Sequence, residues 1–263
     1  MKPGSTVLIA GLGLIGGSLA RALRGRGYLV SGVDPRPAAL RAARRAGVLD
    51  RTARRIEDGL ATADMVVLAA PPAANLALLR RVARFGRDGQ VVTDVSSVKR
   101  HICEEAARLG LDFVGGHPMA GRERSGFEAA EADLFRGRPW ILTAPASSRA
   151  LRAARALVRA VGARPVVLSP SEHDRVVAFV SHLPQLVAWA LWDAVRHDGV
   201  AGPRAGLAGP AYADMTRIAA SPPGLWRQIL AENGREIERA LVAFLRALAA
   251  ARRRTAPSVR RAS

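Results

Sequence analysis

The chain has 263 residues, 49% of them hydrophobic, which is enough for one large domain or two smaller ones with their own cores. The formal net charge is +18, and 40 − 2 = 38 of the 40 basic residues are arginines, since only Lys2 and Lys99 are lysines. No apolar run approaches the roughly 20 residues that a membrane span needs, so we expect no membrane partner. Cys103 is the single cysteine, which excludes an intrachain disulfide and favours a cytoplasmic location.

The excess of positive charge has three interpretations. It can be a solvated, arginine-biased surface, or it can attract anionic small molecules such as a dicarboxylate or a dinucleotide. Nucleic-acid binding is the third, but only 5% of the residues are aromatic, and the sequence has no stacking motif or zinc-finger spacing. We therefore expect a small anionic ligand rather than a nucleic acid.

Apolar runs alternate with helical patterns up to about residue 170. We expect strands at Thr6–Ala10, Leu29–Asp34, Met65–Ala69, Val91–Asp94, Asp112–Gly115, Trp140–Thr143 and Pro165–Leu168. The helices between them include Gly16–Arg26, Pro37–Ala46, Ala74–Phe85 and Ser148–Val161. Near-continuously apolar strands separated by helices indicate a parallel sheet covered on both faces. Residues 1–170 are therefore predicted to form an α/β, Rossmann-type doubly wound dinucleotide-binding domain.

The pattern changes after Pro170. Residues 171–251 carry apolar side chains at helical spacing, which predicts an all-helical C-terminal domain for substrate binding and dimerisation, with the Gly/Pro-rich stretch Gly199–Pro210 joining two helices. A helix over Leu225–Ala251 has more apolar positions than one domain face needs, so we expect a homodimer through this domain. Residues 252–263 hold five arginines and no apolar periodicity, which predicts a disordered basic tail.

A glycine-rich turn joins the first strand to the first helix in the pattern Gly11-Leu12-Gly13-Leu14-Ile15-Gly16. Such a turn between strand and helix, with an acid at the end of the next strand, is typical of a dinucleotide site, and Asp34 is that acid. A turn without a ligand is the alternative. Asp34 can accept hydrogen bonds from ribose hydroxyls and would repel a 2′-phosphate, which favours NAD over NADP, although the nearby Arg36 could soften that preference. The predicted cofactor-binding residues are Gly11, Leu12, Gly13, Leu14, Ile15, Gly16, Asp34, Arg36, Ala70, Pro71 and Ser96, and no metal site is expected.

His117 is the main catalytic candidate. It follows a predicted strand and two glycines, at the carboxyl edge of the sheet where a nicotinamide ring would react. There it could accept a hydroxyl proton while hydride leaves the same carbon. For an isolated histidine, a structural role would be the better interpretation.

Several segments resemble one enzyme family. Gly116-His117-Pro118-Met119-Ala120-Gly121, followed by Ser125-Gly126, is similar to the signature of prephenate and arogenate dehydrogenases. Further similar segments, in chain order, are Asp94–Lys99, His173-Asp174 with Ser181–Pro184, and Asp214–Ser221 with Leu225–Arg227 and Asn233. The resemblance therefore runs in order from about Val7 to Asn233.

This resemblance implies a reaction and a set of roles. Prephenate or L-arogenate would lose hydride from C4 to NAD⁺ and then carbon dioxide, giving 4-hydroxyphenylpyruvate or tyrosine in tyrosine biosynthesis. His117 would accept the 4-hydroxyl proton, and Ser97 would hydrogen-bond that hydroxyl or His117. Arg217 would bind a substrate carboxylate, and His182 would line the pocket. Arg122 stands where the family has small polar residues, and it either contacts the substrate side chain or faces solvent.

Purely structural roles for Arg217 and His182, and other functions for the chain, remain open. Arg217 alone could be one more solvated arginine, and His182 a buried helix histidine. Another two-domain dehydrogenase, of the β-hydroxyacid type, is the second hypothesis, but that type uses a lysine in the helical domain and no lysine follows Lys99. A non-catalytic NAD- or nucleic-acid-binding protein is the third. Because the chain ends soon after Asn233, we expect no added tyrosine-binding domain.

Overall fold

The structure is a computed structural model that describes residues 1–122, 124–143, 145–197 and 208–255. The chain divides into two compact units. The first is built from Met1–Asp174 and Ala220–Glu232. The second is built from the described part of Arg175–Ala219 and Asn233–Ser263.

The first unit contains one eight-stranded sheet in the order β3-β2-β1-β4-β5-β6-β7-β8. The strands are β1 (Thr6–Ala10), β2 (Leu29–Val33), β3 (Arg51–Ala53), β4 (Met65–Leu68), β5 (Val91–Asp94), β6 (Asp112–Pro118), β7 (Pro139–Thr143) and β8 (Arg164–Leu168). Every neighbouring pair is parallel except β6 and β7, which are antiparallel. The predicted doubly wound α/β fold is confirmed, with two differences: the sheet is mixed rather than fully parallel, and it includes the short edge strand β3.

The sheet is covered by helices of the same unit. These are α1 (Leu14–Arg24), α2 (Pro37–Arg45), α3 (Glu57–Leu60), α4 (Pro72–Phe85), α5 (Arg100–Arg108) and α6 (Ser148–Ala160). A later helix of the same unit, α10 (Pro223–Glu232), packs against α4. Helix α10 lies in the region that the sequence assigned to the helical domain. The backbone N–H of Ala73, in α4, donates to the Gln228 side chain of α10 at 3.2 Å.

Two apolar cores lie on opposite faces of the sheet. Val7 and Ile9 belong to one core and Leu8 and Ala10 to the other, because successive side chains of a strand point to opposite faces. All four are at most 1% exposed. This burial on both faces explains why the strands are apolar almost throughout. The parallel pairing of β1, β4 and β5 places their carboxyl ends at the same edge of the sheet.

The second unit is helical in its described residues. It contains the end of α7 (Pro170–Val177), a π-helical segment at Ala178–His182, α8 (Leu183–His197), α9 (Pro210–Thr216), a 3₁₀ turn at Arg217–Ala220 and α11 (Gly234–Thr255). Side chains of α8 bind the 3₁₀ turn, since Gln185 donates to the Ile218 carbonyl at 2.9 Å and Trp189 to the Ala219 carbonyl at 3.0 Å. The predicted helical C-terminal region is confirmed.

The helical run Pro170–His197 is 28 residues long and apolar enough, by length and composition, to cross a membrane. The search for long apolar runs in the sequence did not identify it. Charged residues such as Asp174 and Asp193 interrupt the run, and the core helix of a soluble protein passes the same test. The finding is therefore weak evidence for a membrane span.

Helix α11 ends at Thr255 and so includes the first four residues of the segment expected to be a disordered tail. Residues 256–263 lie outside the described residues, as does most of the predicted linker at 199–210. Helix α11 also exposes apolar side chains: Val242 is 38% exposed, Leu245 52% and Leu248 54%.

Candidate active site

The glycine-rich turn forms one end of a groove in the first unit. Gly11 has a positive φ of 105°, which favours glycine. A Cβ added at Gly16 would lie 1.9 Å from the Gly11 carbonyl oxygen, so only glycine lets α1 begin this close to β1. A Cβ at Gly13 would meet nothing within 4 Å, and Gly13, Leu14 and Ile15 line the groove. The positive end of α1, which has no acidic residue in its first turn, is thus presented to a bound phosphate.

Asp34 lies at the end of β2 in the same groove and is 3% exposed. Its carboxylate accepts the backbone N–H groups of Leu12 at 2.8 Å and Arg36 at 2.9 Å, and it is held by the Arg36 guanidinium at 3.0 and 3.2 Å. Burial alone would raise the pKa of Asp34, but these hydrogen bonds outweigh it and lower the pKa. Asp34 is therefore an ionised acceptor, and Arg36 partly neutralises it.

Asn75 links two predicted cofactor residues, and the sequence analysis missed it. The Asn75 side chain is fully buried at the start of α4. Its Oδ1 accepts the Ala70 N–H at 3.0 Å, and its Nδ2 donates to the Ser96 hydroxyl at 2.9 Å. A buried amide near the start of an otherwise apolar helix was the available signal, because a buried polar group needs partners.

The groove has a volume of about 800 Å³, which suits a dinucleotide or a drug-sized ligand. Ala70, Pro71, Ser96 and Ser97 line it, together with Pro222 and Leu225 from the start of α10. Among the predicted cofactor residues, the structure brings Gly11, Gly13, Leu14, Ile15, Asp34, Arg36, Ala70, Pro71 and Ser96 together in this lining. Leu12 is fully buried beneath it, and Gly16 shapes the turn.

Arg122 also lines the groove, but its guanidinium is paired with Glu131 at 2.6 Å, and both side chains are about half exposed. The two expectations for Arg122, substrate contact and solvent exposure, both stay predictions. Four further arginines of the lining add positive charge to the groove: Arg54, Arg55, Arg81 and Arg124. This local charge fits an anionic ligand.

Strand β6 is longer than the sequence predicted. It continues through Gly116, His117 and Pro118, so His117 lies within the strand. His117 pairs with Ile141 of β7. The two glycines before it are required by packing: a Cβ at Gly115 would lie 2.4 Å from Thr143 Oγ1, and one at Gly116 would lie 2.4 Å from the Asp94 carbonyl oxygen. The Gly116 N–H also donates to Asp94 Oδ1 at 2.9 Å, so His117 follows directly after the point where β6 meets the end of β5.

His117 is 8% exposed and its Nδ1 lies 2.8 Å from Nε2 of His173. The two rings meet edge to face, with centroids 5.1 Å apart. Nδ1 of His173 in turn lies 2.8 Å from Asp174 Oδ1. Nδ1 of His117 therefore has a partner in His173, 56 residues along the chain. His117 is not among the described residues that line the groove.

Beneath these histidines is a buried ion pair between Lys99 and Asp94, whose side chains are both fully buried. Asp94 Oδ2 also accepts the Ser96 N–H at 2.9 Å. The backbone N–H groups of Lys99 and Arg100 donate to Asp174 at 2.8 and 3.0 Å. The end of β5, the start of α5 and the start of α7 are thus joined by one buried polar network.

The remaining predicted residues lie in the second unit. His182 is fully buried at the end of the π-helical segment, and the Asn233 amide lies 3.2 Å from its Nδ1, placed to donate to it. Single-turn π-helical segments are frequent at functional sites. Arg217 is exposed at the start of the 3₁₀ turn.

Comparisons with known proteins assign a family to both parts of the chain. The family model described as "Prephenate dehydrogenase, nucleotide-binding domain" matches residues 19–176. The model described as "Prephenate dehydrogenase, dimerization domain" matches residues 169–257.

Individual proteins agree with these matches. The chain is 36% identical over 237 residues to prephenate dehydrogenase of Bacillus subtilis (strain 168), covering 87% of this chain and 64% of that protein, so it spans less than two thirds of this relative. It is 32% identical over 235 residues to cyclohexadienyl dehydrogenase of Zymomonas mobilis, covering 86% of this chain and 80% of that protein. A crystal structure of prephenate dehydrogenase from A. aeolicus, in complex with hydroxyphenyl propionate and NAD⁺, has a TM-score of 0.85 at 32% identity, covering 93% of this chain and 88% of that one.

Proposed function

This chain belongs to the prephenate dehydrogenase family, and on that premise we propose that it catalyses the NAD⁺-dependent oxidative decarboxylation of prephenate or L-arogenate. The products are 4-hydroxyphenylpyruvate or tyrosine, so the enzyme serves tyrosine biosynthesis. The observation that carries the proposal is the position of His117. It lies at the carboxyl end of the sheet, on the strand next to β5, and β5 leads directly into the Ser96–Ser97 wall of the nucleotide groove.

NAD⁺, when bound, supplies the acceptor for the hydride that leaves C4 of the substrate. The groove fits this cofactor because Gly13 leaves space for a close approach and Asp34 offers an ionised acceptor to ribose hydroxyls. We propose NAD⁺ over NADP⁺ because the Asp34 carboxylate disfavours a 2′-phosphate, although its pairing with Arg36 reduces the repulsion.

The protein's own residues carry the proton transfer and the positioning. His117 takes the 4-hydroxyl proton while the carbonyl forms at C4. The ring carboxylate then leaves as carbon dioxide, the electron pair of the broken C–C bond passes through the ring to the C4 oxygen, and His117 returns the proton to that oxygen to give the phenol. Ser97 hydrogen-bonds the 4-hydroxyl from the groove wall. In the second unit, Arg217 binds a carboxylate of the dianionic substrate and His182 lines the pocket. Arg122, released from Glu131, is the candidate contact for the substrate side chain.

We further propose a homodimer formed through the helical region. The match to a dimerization domain and the exposed apolar residues Val242, Leu245 and Leu248 on α11 support it. A cytoplasmic location suits an enzyme that acts on soluble anions with NAD⁺ and keeps its single thiol, Cys103, buried and free.

The proposed function is tested by steady-state kinetics with prephenate and L-arogenate, each with NAD⁺ and NADP⁺. We expect NADH formation with at least one substrate and a higher kcat/KM with NAD⁺. His117→Asn should lower kcat by about 10²- to 10⁴-fold, the usual contribution of a general base. His197→Asn, at an exposed histidine of α8, is the matched control and should leave the rate unchanged. Folded protein that binds NAD⁺ but reduces it with neither substrate would refute the proposal.

A further inference from the structure

The hydrogen bonds that join His117, His173 and Asp174 determine which atom donates in each of these two contacts. Asp174 accepts backbone N–H groups at both oxygens, from Lys99 at Oδ1 and from Arg100 at Oδ2. These bonds and the one from His173 outweigh the effect of burial and lower the pKa of Asp174, so its carboxylate is ionised. An ionised carboxylate can only accept, so the 2.8 Å contact requires His173 Nδ1 to carry the proton.

The same reasoning extends to the second histidine. Burial lowers the pKa of His173 below its ordinary value, despite the hydrogen bond to Asp174, so His173 is neutral at neutral pH. A neutral imidazole with its proton on Nδ1 has a lone pair on Nε2. His173 Nε2 is therefore the acceptor of the 2.8 Å bond, and His117 Nδ1 is the donor. A neutral His117 that donates through Nδ1 has its lone pair on Nε2.

We propose that His173 and Asp174 are positioning residues that hold His117 in the tautomer whose Nε2 can take a proton. The catalytic consequence of this tautomer rests on the proposed function, in which Nε2 of His117 receives the substrate's hydroxyl proton. When it does, His117 becomes a cation that still donates through Nδ1, and the His173–Asp174 pair supports that charge. His173 thus acts on the reaction through His117, and Asp174 acts through His173.

Other charged and titratable groups surround this chain of hydrogen bonds and contribute to the electrostatic environment of His173 and Asp174. They are Asp94 from β5, Lys99, Arg100, His101 and Cys103 from the start of α5, and Glu232 from the end of α10. The buried Lys99–Asp94 pair is neutral as a unit. Burial raises the pKa of Glu232, which limits the negative charge it adds near Asp174.

The tautomers can be measured without any turnover, in the full chain labelled with ¹⁵N. The sequence has five histidines, and single-histidine variants assign their signals. We expect ¹⁵N shifts and couplings that place the proton on Nδ1 in both His117 and His173. A neutral His117 protonated on Nε2 would overturn the inference, whether or not the enzyme turns over.

Kinetics of paired variants at position 173 test the consequence. His173→Leu removes the acceptor for His117 Nδ1, and we expect kcat to fall about 10- to 100-fold, as for other residues that orient a reacting group. His173→Gln can offer an amide oxygen near the same place and should recover much of that loss, with KM and NAD⁺ affinity little changed in both. The acid limb of kcat/KM should move to lower pH in His173→Leu and Asp174→Asn, because the His117 cation loses support.

A control variant and the pH profile distinguish a positioning role of His173 from a packing role. His197→Leu, at an exposed histidine whose Nδ1 lies 2.8 Å from the backbone carbonyl oxygen of Asp193, should change neither kcat nor the pH profile. If His173→Leu and His173→Gln lose activity equally while the acid limb stays in place, His173 has only a packing role and the inference fails. A wild-type chain that is inactive with both substrates refutes the proposed function instead, and the ¹⁵N result still decides the tautomer.

Discussion

Removing the charge of Lys99 should destabilise the first unit strongly. In Lys99→Met the side chain keeps most of its length, so the change leaves little empty space. It does leave the fully buried Asp94 carboxylate without its cation. Breaking a buried pair by removing one partner costs about 3–5 kcal/mol, which is roughly a 10²- to 10³·⁵-fold rise in the unfolding equilibrium constant.

In the variant, Asp94 still accepts hydrogen bonds from the backbone N–H groups of Ser96 and Gly116, so we expect a loss of stability in the lower part of that range. The matched control is Arg24→Met, which breaks an ion pair with Asp50 at 3.0 Å in which the arginine side chain is 45% exposed. An ion pair of this kind contributes only about 0–1 kcal/mol. The double variant Asp94→Asn/Lys99→Met should recover part of the loss, because no buried charge is left unpaired.

Urea unfolding measures these free energies, with circular dichroism reporting on the whole chain. Fluorescence reports on the first unit in a background that keeps only the buried Trp140 of β7 among the four tryptophans. The variants should shift the midpoint without changing the slope. A loss in Lys99→Met no larger than in Arg24→Met would refute the reasoning. It would mean that the carboxylate is protonated, or hydrated, in the absence of its partner.

Three further predictions follow from single residues. Gly16→Ala places a Cβ 1.9 Å from the Gly11 carbonyl oxygen, so α1 must shift and NAD⁺ affinity should fall at least about tenfold by calorimetry; unchanged affinity would contradict this account of the turn. Burial raises the pKa of Cys103 from 9.0 to about 11, so below pH 9 the thiolate fraction is about 100-fold lower in the native than in the unfolded protein. Iodoacetamide should therefore label the native protein far more slowly than the urea-unfolded protein, and the native rate should rise as the pH approaches 11. Equal rates would show that the thiol is accessible and unperturbed. Leu245→Asp introduces a charge at a 52% exposed apolar position and should shift the proposed dimer to monomer in sedimentation velocity, an outcome that an unaltered sedimentation coefficient would exclude.

The regular elements of the sheet were predictable because their signal is local. Strands β1 and β5 begin and end at the predicted residues, and the glycine turn with Asp34 identified the groove from residues close together in the chain. The short strand β3 was missed because Arg51 and Thr52 are exposed at the sheet edge and carry no apolar pattern. The antiparallel pairing of β7 was missed as well, because strand direction is set by how the connection runs and not by the strand's own residues.

The sequence predicted only those residues of the candidate site that belong to a recognisable local motif. His117 was identified correctly as lying at the carboxyl end of the sheet, but its strand was predicted to end at Gly115, before Gly116. In fact those glycines let β6 pack against Asp94 and Thr143. The contact with His173 joins residues 56 positions apart, and no pattern in the sequence specifies it.

The path of the chain between the two units has a practical consequence for dissecting this protein. It passes from one unit to the other three times, after Asp174, after Ala219 and after Glu232. A truncation at residue 170 would therefore remove Pro222 and Leu225 from the groove wall and Gln228 from its bond to Ala73. Neither half can be isolated by a single cut, and a shortened nucleotide-binding fragment would have to carry residues 220–232 on an artificial linker to keep its groove intact.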